Sequence, residues 1–378
     1  MPMPALPLVH WTESGQPHSA LWRSESAAPP PGRIQIADDK LSADAAYRLI
    51  CEGTQLLWRG DFHNARQLLQ ALARRIDKKP RKPAATPLDA FNRHRQAQSQ
   101  RARLLGSVLV PFDSDHQVTL RRAPDVQQAC LEAYGPSSGP YLASLRELQG
   151  IIGAHEWRKK GVQIPALNAR IHPHYGVFSP VRGEYIDLVA RAPLPGGHPA
   201  LAYDIGTGTG VLAAVLAQRG VDHVIATDQD PRALHCAQEN LNRLGLQAHV
   251  ELRQADLFPD GQSPLIVCNP PWLPARPSAP VEYAIYDPDS RMLRGFLQGL
   301  RAHLLSDGEG WLILSDLAEH LGLRQPGELA SHIAQAGLSV IDRLDARPTH
   351  GRATDPTDPL HMARAAEITS LWRLAIAN

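Results

Sequence analysis

The residues with the clearest chemical potential in this sequence are Asn269-Pro270-Pro271-Trp272, which follow the apolar run from Leu265 to Cys268. Two successive prolines remove backbone donors and fix φ, so the carbonyl oxygen of Pro270 and the side-chain amide of Asn269 are presented as rigid acceptors. Such a pair can accept both hydrogens of a planar amine or amide, which frees the nitrogen lone pair. Trp272 would stack on the flat face of the same group and exclude water. The motif predicts a site for chemistry at a planar nitrogen.

A second motif, Gly206-Thr207-Gly208-Thr209-Gly210, lies between an apolar run and a helical pattern. Gly206 and Gly208, with Thr207 between them, allow a tight turn close to a bound ligand, and Gly210 lets the helix pack onto the strand. Dinucleotide-binding loops use a related spacing, so the glycines alone leave the ligand open. Asp204, just before them, would repel a pyrophosphate but attract the amino-acid end and sulfonium of S-adenosylmethionine. The combination favours this methyl donor.

Two further acidic residues follow the next two predicted strands. Asp228 lies roughly 18 residues beyond Gly210, where a carboxylate can accept both hydroxyls of a ribose. Asp256 ends the third strand, where it or its neighbouring backbone can accept hydrogen bonds from an adenine amino group. Leu257 and Phe258 would give apolar cover. Each aspartate alone is more simply explained as a turn or helix cap, but three at successive strand ends indicate a nucleoside-binding edge.

Apolar runs alternate with amphipathic helical patterns from about Leu201, which is typical of a parallel sheet with crossover helices. The predicted strands are Leu201 to Ile205, His223 to Thr227, His249 to Gln254, Leu265 to Cys268, Gly310 to Leu314, Leu338 to Leu344 and Glu367 to Ala375. The predicted helices are Val211 to Arg219, Pro231 to Leu244, Ser290 to Leu305 and Glu328 to Ala336. We therefore expect an α/β domain over residues 161–378, with a Rossmann-like seven-stranded sheet that positions both motifs.

The N-terminal part has a different character. Residues 1–32 are rich in Pro, Ser and His and predict a flexible leader. Over residues 33–160, apolar side chains recur at helical spacing from Ala43 to Arg59, Asn64 to Ile76, Val126 to Tyr134 and Tyr141 to Gly150. The pattern predicts a mainly helical N-terminal domain, for which we expect a role in substrate recognition.

The stretch from residue 74 to residue 103 is locally basic, with only Asp77 and Asp89 as acidic residues. Its basic residues are Arg74, Arg75, Lys78, Lys79, Arg81, Lys82, Arg93, Arg95, Arg101 and Arg103. This imbalance is the best indication in the sequence of an anionic partner such as RNA or DNA. A solvated helix face with a Pro-containing loop explains the same charges equally well, so both interpretations stay open.

Length, net charge and composition limit the kinds of partner, metal site and location that the protein can have. The 378 residues suggest two domains, and a net charge of +1 gives no whole-molecule field that would indicate a nucleic acid or a membrane. The four cysteines lack metal-ligand spacing, and His172 and His174 lack Cys or carboxylate partners at such spacing, so no metal is expected. The first residues lack signal-peptide features, and no apolar run approaches the roughly 18 residues that span a bilayer. We expect a cytoplasmic protein without membrane contact.

Residues 170 to 340 or so resemble class I S-adenosylmethionine-dependent methyltransferases. The glycine turn, the aspartates and Asn-Pro-Pro-Trp are similar to those of the branch with release-factor glutamine methyltransferases and N6-adenine methyltransferases of RNA and DNA. The resemblance implies that the donor is bound by Asp204, Gly206, Gly208, Asp228 and Asp256, and the target nitrogen by Asn269, Pro270 and Trp272. Residues 173–180 match an aromatic lid over the cofactor, which makes Phe178 and Tyr175 candidates. Position 272 departs from the family, where Tyr or Phe is commonest.

Three functions fit these observations. The first is an enzyme that methylates a nitrogen in RNA, DNA or a protein glutamine. The second is a methyltransferase of a small metabolite, and the third is a non-catalytic binding module, against which the intact Asn269 argues. The polar segment from Arg347 to Arg364 is either a substrate-binding insertion or surface linkage. Cys268 is expected to be a buried apolar residue and not a nucleophile.

Overall fold

The computed structural model describes residues 6–78, 84–277, 282, 284–349 and 351–377. The chain divides into two compact units. Unit 1 comprises Met1–Ala84 and Asn92–Glu156, and unit 2 comprises Ala85–Phe91 and Trp157–Asn378. The change of unit at Trp157 lies near the boundary expected between residues 160 and 161. Within the described residues, no helix has the length and apolar character that crossing a membrane requires.

Unit 1 contains a mixed six-stranded sheet. Its strands are β1 (Leu8–Glu13), β2 (Gln16–Trp22), β3 (Ile34–Ala37), β4 (Gln55–Trp58), β5 (Val108–Phe112) and β6 (Tyr141–Ser144). They lie in the order β1-β2-β6-β5-β4-β3. The helices of unit 1 are α1 (Ala43–Cys51), α2 (Phe62–Asp77) and α4 (Gln127–Tyr134), while α3 (Pro87–Leu105) and α5 (Leu145–Lys160) have residues in both units.

The prediction of a flexible leader over residues 1–32 is wrong for most of the part that the structure describes. β1 and β2 pair antiparallel across Ser14 and Gly15, whose φ angles of 52° and 78° suit a tight type I′ hairpin turn. Val9 and Trp22 are buried in a cluster that includes Leu142. The hairpin has few apolar residues, so the Pro-rich composition of this stretch gave no indication of its strands.

The prediction of a mainly helical N-terminal domain is also wrong, because the helices pack with a six-stranded sheet. Leu56 and Leu57 continue the helical spacing of α1, yet they belong to β4. The helix ends at Cys51 and the chain turns at Gly53, whose φ is 88°. Tyr141 likewise begins β6 and not a helix. Buried strands of four or five residues carry no period that separates them from a helix.

Unit 2 contains the predicted seven-stranded sheet. Its strands are β9 (Leu201–Ile205), β10 (His223–Asp228), β11 (Val250–Gln254), β12 (Ser263–Cys268), β13 (Leu304–Ser315), β14 (Leu338–Ala346) and β15 (Thr369–Ile376). They lie in the order β11-β10-β9-β12-β13-β15-β14. The first five in this order are parallel, and β15 is antiparallel to both of its neighbours. The α/β fold with a Rossmann-like sheet is therefore confirmed. A separate small sheet pairs β7 (Val162–Ile164) with β8 (Ala169–Ile171).

The four predicted crossover helices are present, with ends within two residues of the predicted ones. The helices of unit 2 are α6 (Glu184–Arg191), α7 (Val211–Gln218), α8 (Pro231–Leu244), α9 (Arg291–His303), α10 (Leu317–His320), α11 (Glu328–Gln335), α12 (Gly351–Thr354) and α13 (His361–Ala366). Single 3-10 turns cover Pro165–Leu167 and Pro288–Ser290.

The core of unit 2 lies on both faces of its sheet. Because side chains alternate along a strand, Leu265 and Val267 of β12 pack into the cluster that includes α6 and α7. Ile266 and Cys268 pack into the opposite cluster, which includes α9 and α11. With both faces covered by helices, the carboxyl ends of the parallel strands are the places where a ligand can bind.

Candidate active site

The carboxyl ends of β10, β9 and β12 lie side by side because these strands are neighbours in the sheet. Ile205 is paired with both Thr227 and Cys268. Asp228 and Asn269 directly follow these two partners, and the glycine turn directly follows Ile205. The register thus brings the start of three predicted motifs to one edge of the sheet, where parallel α/β sheets bind their ligands.

The glycine turn, residues 206–210, adopts backbone conformations that favour glycine. Gly206, Gly208 and Gly210 have φ angles of 73°, 55° and 80°. Gly206 is exposed, and a Cβ built on Gly208 would meet nothing within 4 Å. A Cβ on Gly210 would lie 3.1 Å from the Cβ of Ala237 in α8. Gly208 therefore leaves space for a ligand beside the turn, and Gly210 permits close packing against α8, where packing onto the strand was expected.

Asp204 is buried, with 1% exposure, and does not face the open edge. Its Oδ2 accepts hydrogen bonds from the Thr207 hydroxyl at 2.6 Å and from the Ala213 backbone amide at 3.1 Å. Burial raises the pKa of this carboxyl to about 6. The expectation that Asp204 touches the donor's cationic end needs correction, because this carboxylate ties the glycine turn to the first turn of α7. The Thr207 hydroxyl donates its hydrogen to Asp204, so it contributes to this internal contact.

Asp228 lies at the end of β10, as predicted, and is half-buried. Its Oδ2 accepts a hydrogen bond from the backbone amide of Gly208 at 3.0 Å, and its Oδ1 accepts one from Asp230 at 3.0 Å. Burial raises the pKa of the Asp228 carboxyl. A carboxylate oxygen can accept two hydrogen bonds, so the two oxygens retain capacity for the two hydroxyls of a diol.

Asp256 is less sheltered than the prediction assumed. Its side chain is 61% exposed and pairs with Arg291 across 3.3 Å. The next residue, Leu257, has a φ of 71°, and its carbonyl accepts a hydrogen bond from the Thr227 hydroxyl at 2.6 Å. This bond fixes the Asp256–Leu257 backbone beside the end of β10. A contact of either residue with adenine stays a prediction.

The Phe258 ring is half-buried and packs against α9. It stacks on His303, with ring centroids 4.4 Å apart, and on Phe296 at 5.8 Å. Both partners lie on α9, so the expectation that Phe258 covers an adenine ring is wrong. Leu257 packs against the same helix, because a Cβ built on Gly295 of α9 would be 2.8 Å from its Cδ1.

Asn269 and Trp272 lie half-buried after β12 and contact each other. The indole Nε1 of Trp272 donates a hydrogen bond to the Asn269 Oδ1 at 2.9 Å. The indole also packs against the apolar clusters of the sheet. The guanidinium carbon of Arg182 lies 4.7 Å from the indole ring centroid. One face of Trp272 is therefore already covered, and stacking of a substrate on this ring stays a prediction. Pro270 is buried.

The segment upstream of α6 lies beside the glycine turn. The backbone amide of His172 donates to the Asn240 Oδ1 at 2.8 Å, and the Asn240 Nδ2 donates to the Thr209 carbonyl at 3.1 Å. One amide side chain thus joins this segment to the turn. Val177 is buried against α8, while Phe178 is half-buried. Covering of a donor by residues 173–180, with Phe178 in contact, stays a prediction.

The two histidines of this segment take part in packing. The His172 Nδ1 lies 2.7 Å from the carbonyl oxygen of Arg158, and the His174 Nε2 lies 3.0 Å from the Glu239 Oε2. Burial lowers the pKa of His174. Among the residues that the structure describes, no group of three or more His, Cys, Asp or Glu side chains could hold a metal ion.

Two residues of the site were not expected from the sequence. Arg182 covers Trp272 and is held by Glu184 at 2.7 Å and by Glu367 at 2.9 Å. Met292 lies beside the glycine turn, because a Cβ built on Gly206 would be 2.6 Å from its Cε. Arg182 lies two residues before α6 and Met292 lies in α9, so tertiary packing alone brings them to the motifs.

The polar segment from Arg347 to Arg364 forms α12 and α13, with His350 outside the described residues. Leu360 and Ala363 are buried in a cluster with Leu273, which directly follows the Asn-Pro-Pro-Trp motif. The segment therefore supports the chain as it leaves the motif, which surface linkage alone would not do. A contact of this segment with substrate stays a prediction.

The basic stretch belongs mainly to unit 1, and Lys79, Arg81 and Lys82 lie outside the described residues. Arg75 forms an ion pair with Asp44, and the Arg101 Nε lies 2.9 Å from the Asp77 Oδ1. Part of the positive charge is thus already neutralised within this unit.

The sequence of unit 2 matches a known family. Residues 168–319 match the family described as methyltransferase small domain. This range contains the glycine turn, Asp228 and the Asn-Pro-Pro-Trp motif, so the resemblance of this part of the chain to class I methyltransferases is confirmed.

Individual relatives are known methyltransferases. The chain is 34% identical over 166 residues to the release factor glutamine methyltransferase of Cereibacter sphaeroides. This match covers 39% of the chain and 57% of that protein. The chain is 41% identical over 66 residues to the ribosomal protein L11 methyltransferase of Symbiobacterium thermophilum, covering 18% and 22% of the two chains. A solved L11 methylase from Lactobacillus delbrueckii subsp. bulgaricus has a TM-score of 0.37 and 19% identity over 56% of this chain and 87% of that one. The match spans little more than half of the first relative and less of the second.

Proposed function

We propose that this chain is an S-adenosylmethionine-dependent N-methyltransferase whose acceptor is a planar side-chain amide in a protein, such as a glutamine. One observation carries the proposal. The register of β10, β9 and β12 brings Asp228, the glycine turn and Asn269 to one edge of the sheet. A donor site and an acceptor site are therefore adjacent, which is what group transfer between two bound molecules requires.

The residues at this edge fit the donor by their own chemistry. The exposed backbone at Gly206 and the open space beside Gly208 suit the amino-acid end, and the Asp228 carboxylate suits the ribose hydroxyls. The backbone at Leu257 suits the adenine edge. When bound, S-adenosylmethionine supplies a methyl group on a positively charged sulfur. Asp204 supports such a charge from behind the turn, through its field and not by contact.

On the acceptor side, the Asn269 Oδ1 and the Pro270 carbonyl can accept the two hydrogens of an amide NH2 group. Holding both N–H bonds encourages the nitrogen to pyramidalise, and its lone pair then points away from the two oxygens. The half-buried setting strengthens these bonds because little water competes for them. In this proposal Asn269 acts at the reacting nitrogen.

A protein amide is favoured over a nucleobase by two features. The names of both relatives state protein substrates. In addition, Arg182 covers an indole face on which a nucleobase would stack, whereas a small amide needs less flat contact. Adenine N6 in RNA or DNA, recognised through the stretch 74–103, is the alternative, and a small metabolite is a further one. We place the protein in the cytoplasm, where its cysteines would stay reduced.

The experiment that tests the proposal is incubation with tritiated S-adenosylmethionine and cell extract separated into protein, RNA and small molecules. We expect label in protein and N-methylglutamine after digestion, and no label with the Asn269→Ala variant. Label in RNA as N6-methyladenine would contradict the protein acceptor. Donor binding without label in any fraction would contradict the enzymatic proposal and favour a binding module.

A further inference from the structure

The carboxamide of Asn269 can present either its oxygen or its NH2 group to the acceptor, because rotation about its terminal bond has two similar states. Only the state with the oxygen toward the substrate can accept a hydrogen. The indole N–H of Trp272 is a donor without acceptor capacity, so its 2.9 Å bond selects the Asn269 Oδ1. The second lone pair of this carbonyl oxygen can accept a hydrogen bond from the nitrogen that is to be methylated.

The indole is itself held in place. The Arg182 guanidinium lies over its ring, with its central carbon 4.7 Å from the ring centroid. The Arg182 Nε donates to Glu184 at 2.7 Å, and its Nη2 donates to the Glu367 Oε1 at 2.9 Å. Glu367 has 1% exposure, and its Oε1 also accepts the Ser315 hydroxyl at 2.7 Å. The guanidinium is therefore anchored to the core, which restricts rotation of the indole beneath it.

We propose that Trp272 and Arg182 are positioning residues that fix the orientation of the Asn269 carboxamide for transfer, an inference that rests on the proposed function. The chain of contacts runs from Glu367 through Arg182 and Trp272 to Asn269. Arg182 lies just beyond the lid segment that is joined to the glycine turn through Asn240. A Tyr or Phe at position 272 has no N–H to make the bond to Asn269.

The first test is structural and needs no activity. In the full-length ¹⁵N-labelled protein, the Trp272 indole N–H signal is the one of seven that Trp272→Phe removes. In Asn269→Ala we expect this signal to move upfield and to exchange with solvent about tenfold faster, because its acceptor is lost. An unmoved signal in Asn269→Ala would overturn the inference. The Arg182→Gln variant should also speed this exchange, which keeps the test available if Asn269→Ala folds poorly.

The second test separates positioning from packing. Trp272→Phe keeps an aromatic ring but loses the N–H, so we expect kcat to fall about tenfold while donor Kd stays within about twofold. The matched control is Trp311→Phe, which removes an indole N–H bonded to Glu309 at 2.9 Å and should leave kcat unchanged. Arg182→Lys should retain more activity than Arg182→Gln, because a lysine cation can still lie over the ring. Unchanged kcat in Trp272→Phe, or equal losses in both tryptophan variants, would overturn the positioning role.

The two tests also distinguish this inference from the proposed function. If no acceptor is methylated, the proposed function fails, while the indole signal still reports whether Trp272 holds Asn269. If methylation is found but the Trp272 indole signal is unchanged in Asn269→Ala, the proposed function stands and the positioning role fails.

Discussion

Replacing the buried Asp204 by Asn should change how the stability of the protein depends on pH. The Asp204 Oδ2 accepts the hydrogen bonds from Thr207 and Ala213. An Asn with its side-chain oxygen in that place can accept the same two bonds. What the substitution removes is a carboxyl group that can ionise at a site with 1% exposure. Asn is also nearly the same size as Asp, so no cavity is created.

The magnitude follows from the pKa of this group. Burial raises the pKa of Asp204 from an ordinary value of 3.8 to about 6. The folded protein therefore binds this proton more tightly than the unfolded chain does. The resulting stability is fully present below about pH 4 and is lost as pH rises through about 6. A tenfold change in an equilibrium is worth about 1.4 kcal/mol, so the ionised carboxylate costs about 3 kcal/mol at neutral pH.

The assay is urea unfolding of wild type and Asp204→Asn at pH 4 and pH 7. We expect the free energy of unfolding of the variant, relative to wild type, to rise by about 2.4 kcal/mol between the two pH values, because part of the cost is already present at pH 4. Asp222→Asn removes an exposed carboxylate of the same unit and serves as control, with the same difference from wild type at both pH values. If the difference in the free energy of unfolding between Asp204→Asn and wild type does not change with pH, burial does not destabilise the Asp204 carboxylate and the reasoning is refuted.

Two further outcomes are expected at the donor edge. Asp228→Ala should weaken S-adenosylmethionine binding about 10- to 100-fold by calorimetry, since two bonds to a charged acceptor are lost. Because burial raises the pKa of Asp228, wild-type affinity should fall as pH is lowered through that raised value, and Asp228→Asn should remove the dependence; a flat wild-type profile would contradict this. Gly210→Ala should lower the free energy of unfolding by about 1 to 3 kcal/mol, since its φ is 80° and its Cβ would crowd Ala237. Gly245→Ala has a φ of 70° and open space, so a loss as large there would refute the packing contribution.

The sequence predicted unit 2 well because its signals are local. The adjacent strands β9, β10 and β12 contain short apolar runs. The helices begin and end with clear signals, such as Asp230 before Pro231 and Gly245 after Leu244 in α8. Parallel strands joined by helices then bring successive carboxyl ends to one edge. The positions of Asp228 and Asn269 at that edge needed no tertiary information.

The sequence could not predict contacts made by residues far apart in the chain. Arg182 and Trp272 are ninety residues apart, and Glu367 lies further still, so their association depends on how α6 packs beside β15. The orientation of Asp204 was misjudged for a similar reason. A carboxylate before a glycine turn can point to a ligand or to the helix that follows, and only the folded backbone shows that it bonds Ala213.

The N-terminal unit was misjudged because its strands are short and buried. β4 continues the helical spacing of α1, and the hairpin of β1 and β2 lies within a Pro- and Ser-rich stretch. In both places a single glycine, Gly53 or Gly15, marks the turn. Sequence period alone could not give these glycines more weight than the apolar residues around them.

The central claim is that Asn269 acts on the acceptor nitrogen and not on the donor. The most direct measurement is single-turnover methyl transfer by wild type and Asn269→Ala to an acceptor found in the labelling experiment, together with donor Kd by calorimetry. We expect the transfer rate to fall on the order of 100-fold while donor Kd stays within about twofold. Transfer at the wild-type rate, or a loss explained entirely by weaker donor binding, would contradict the account.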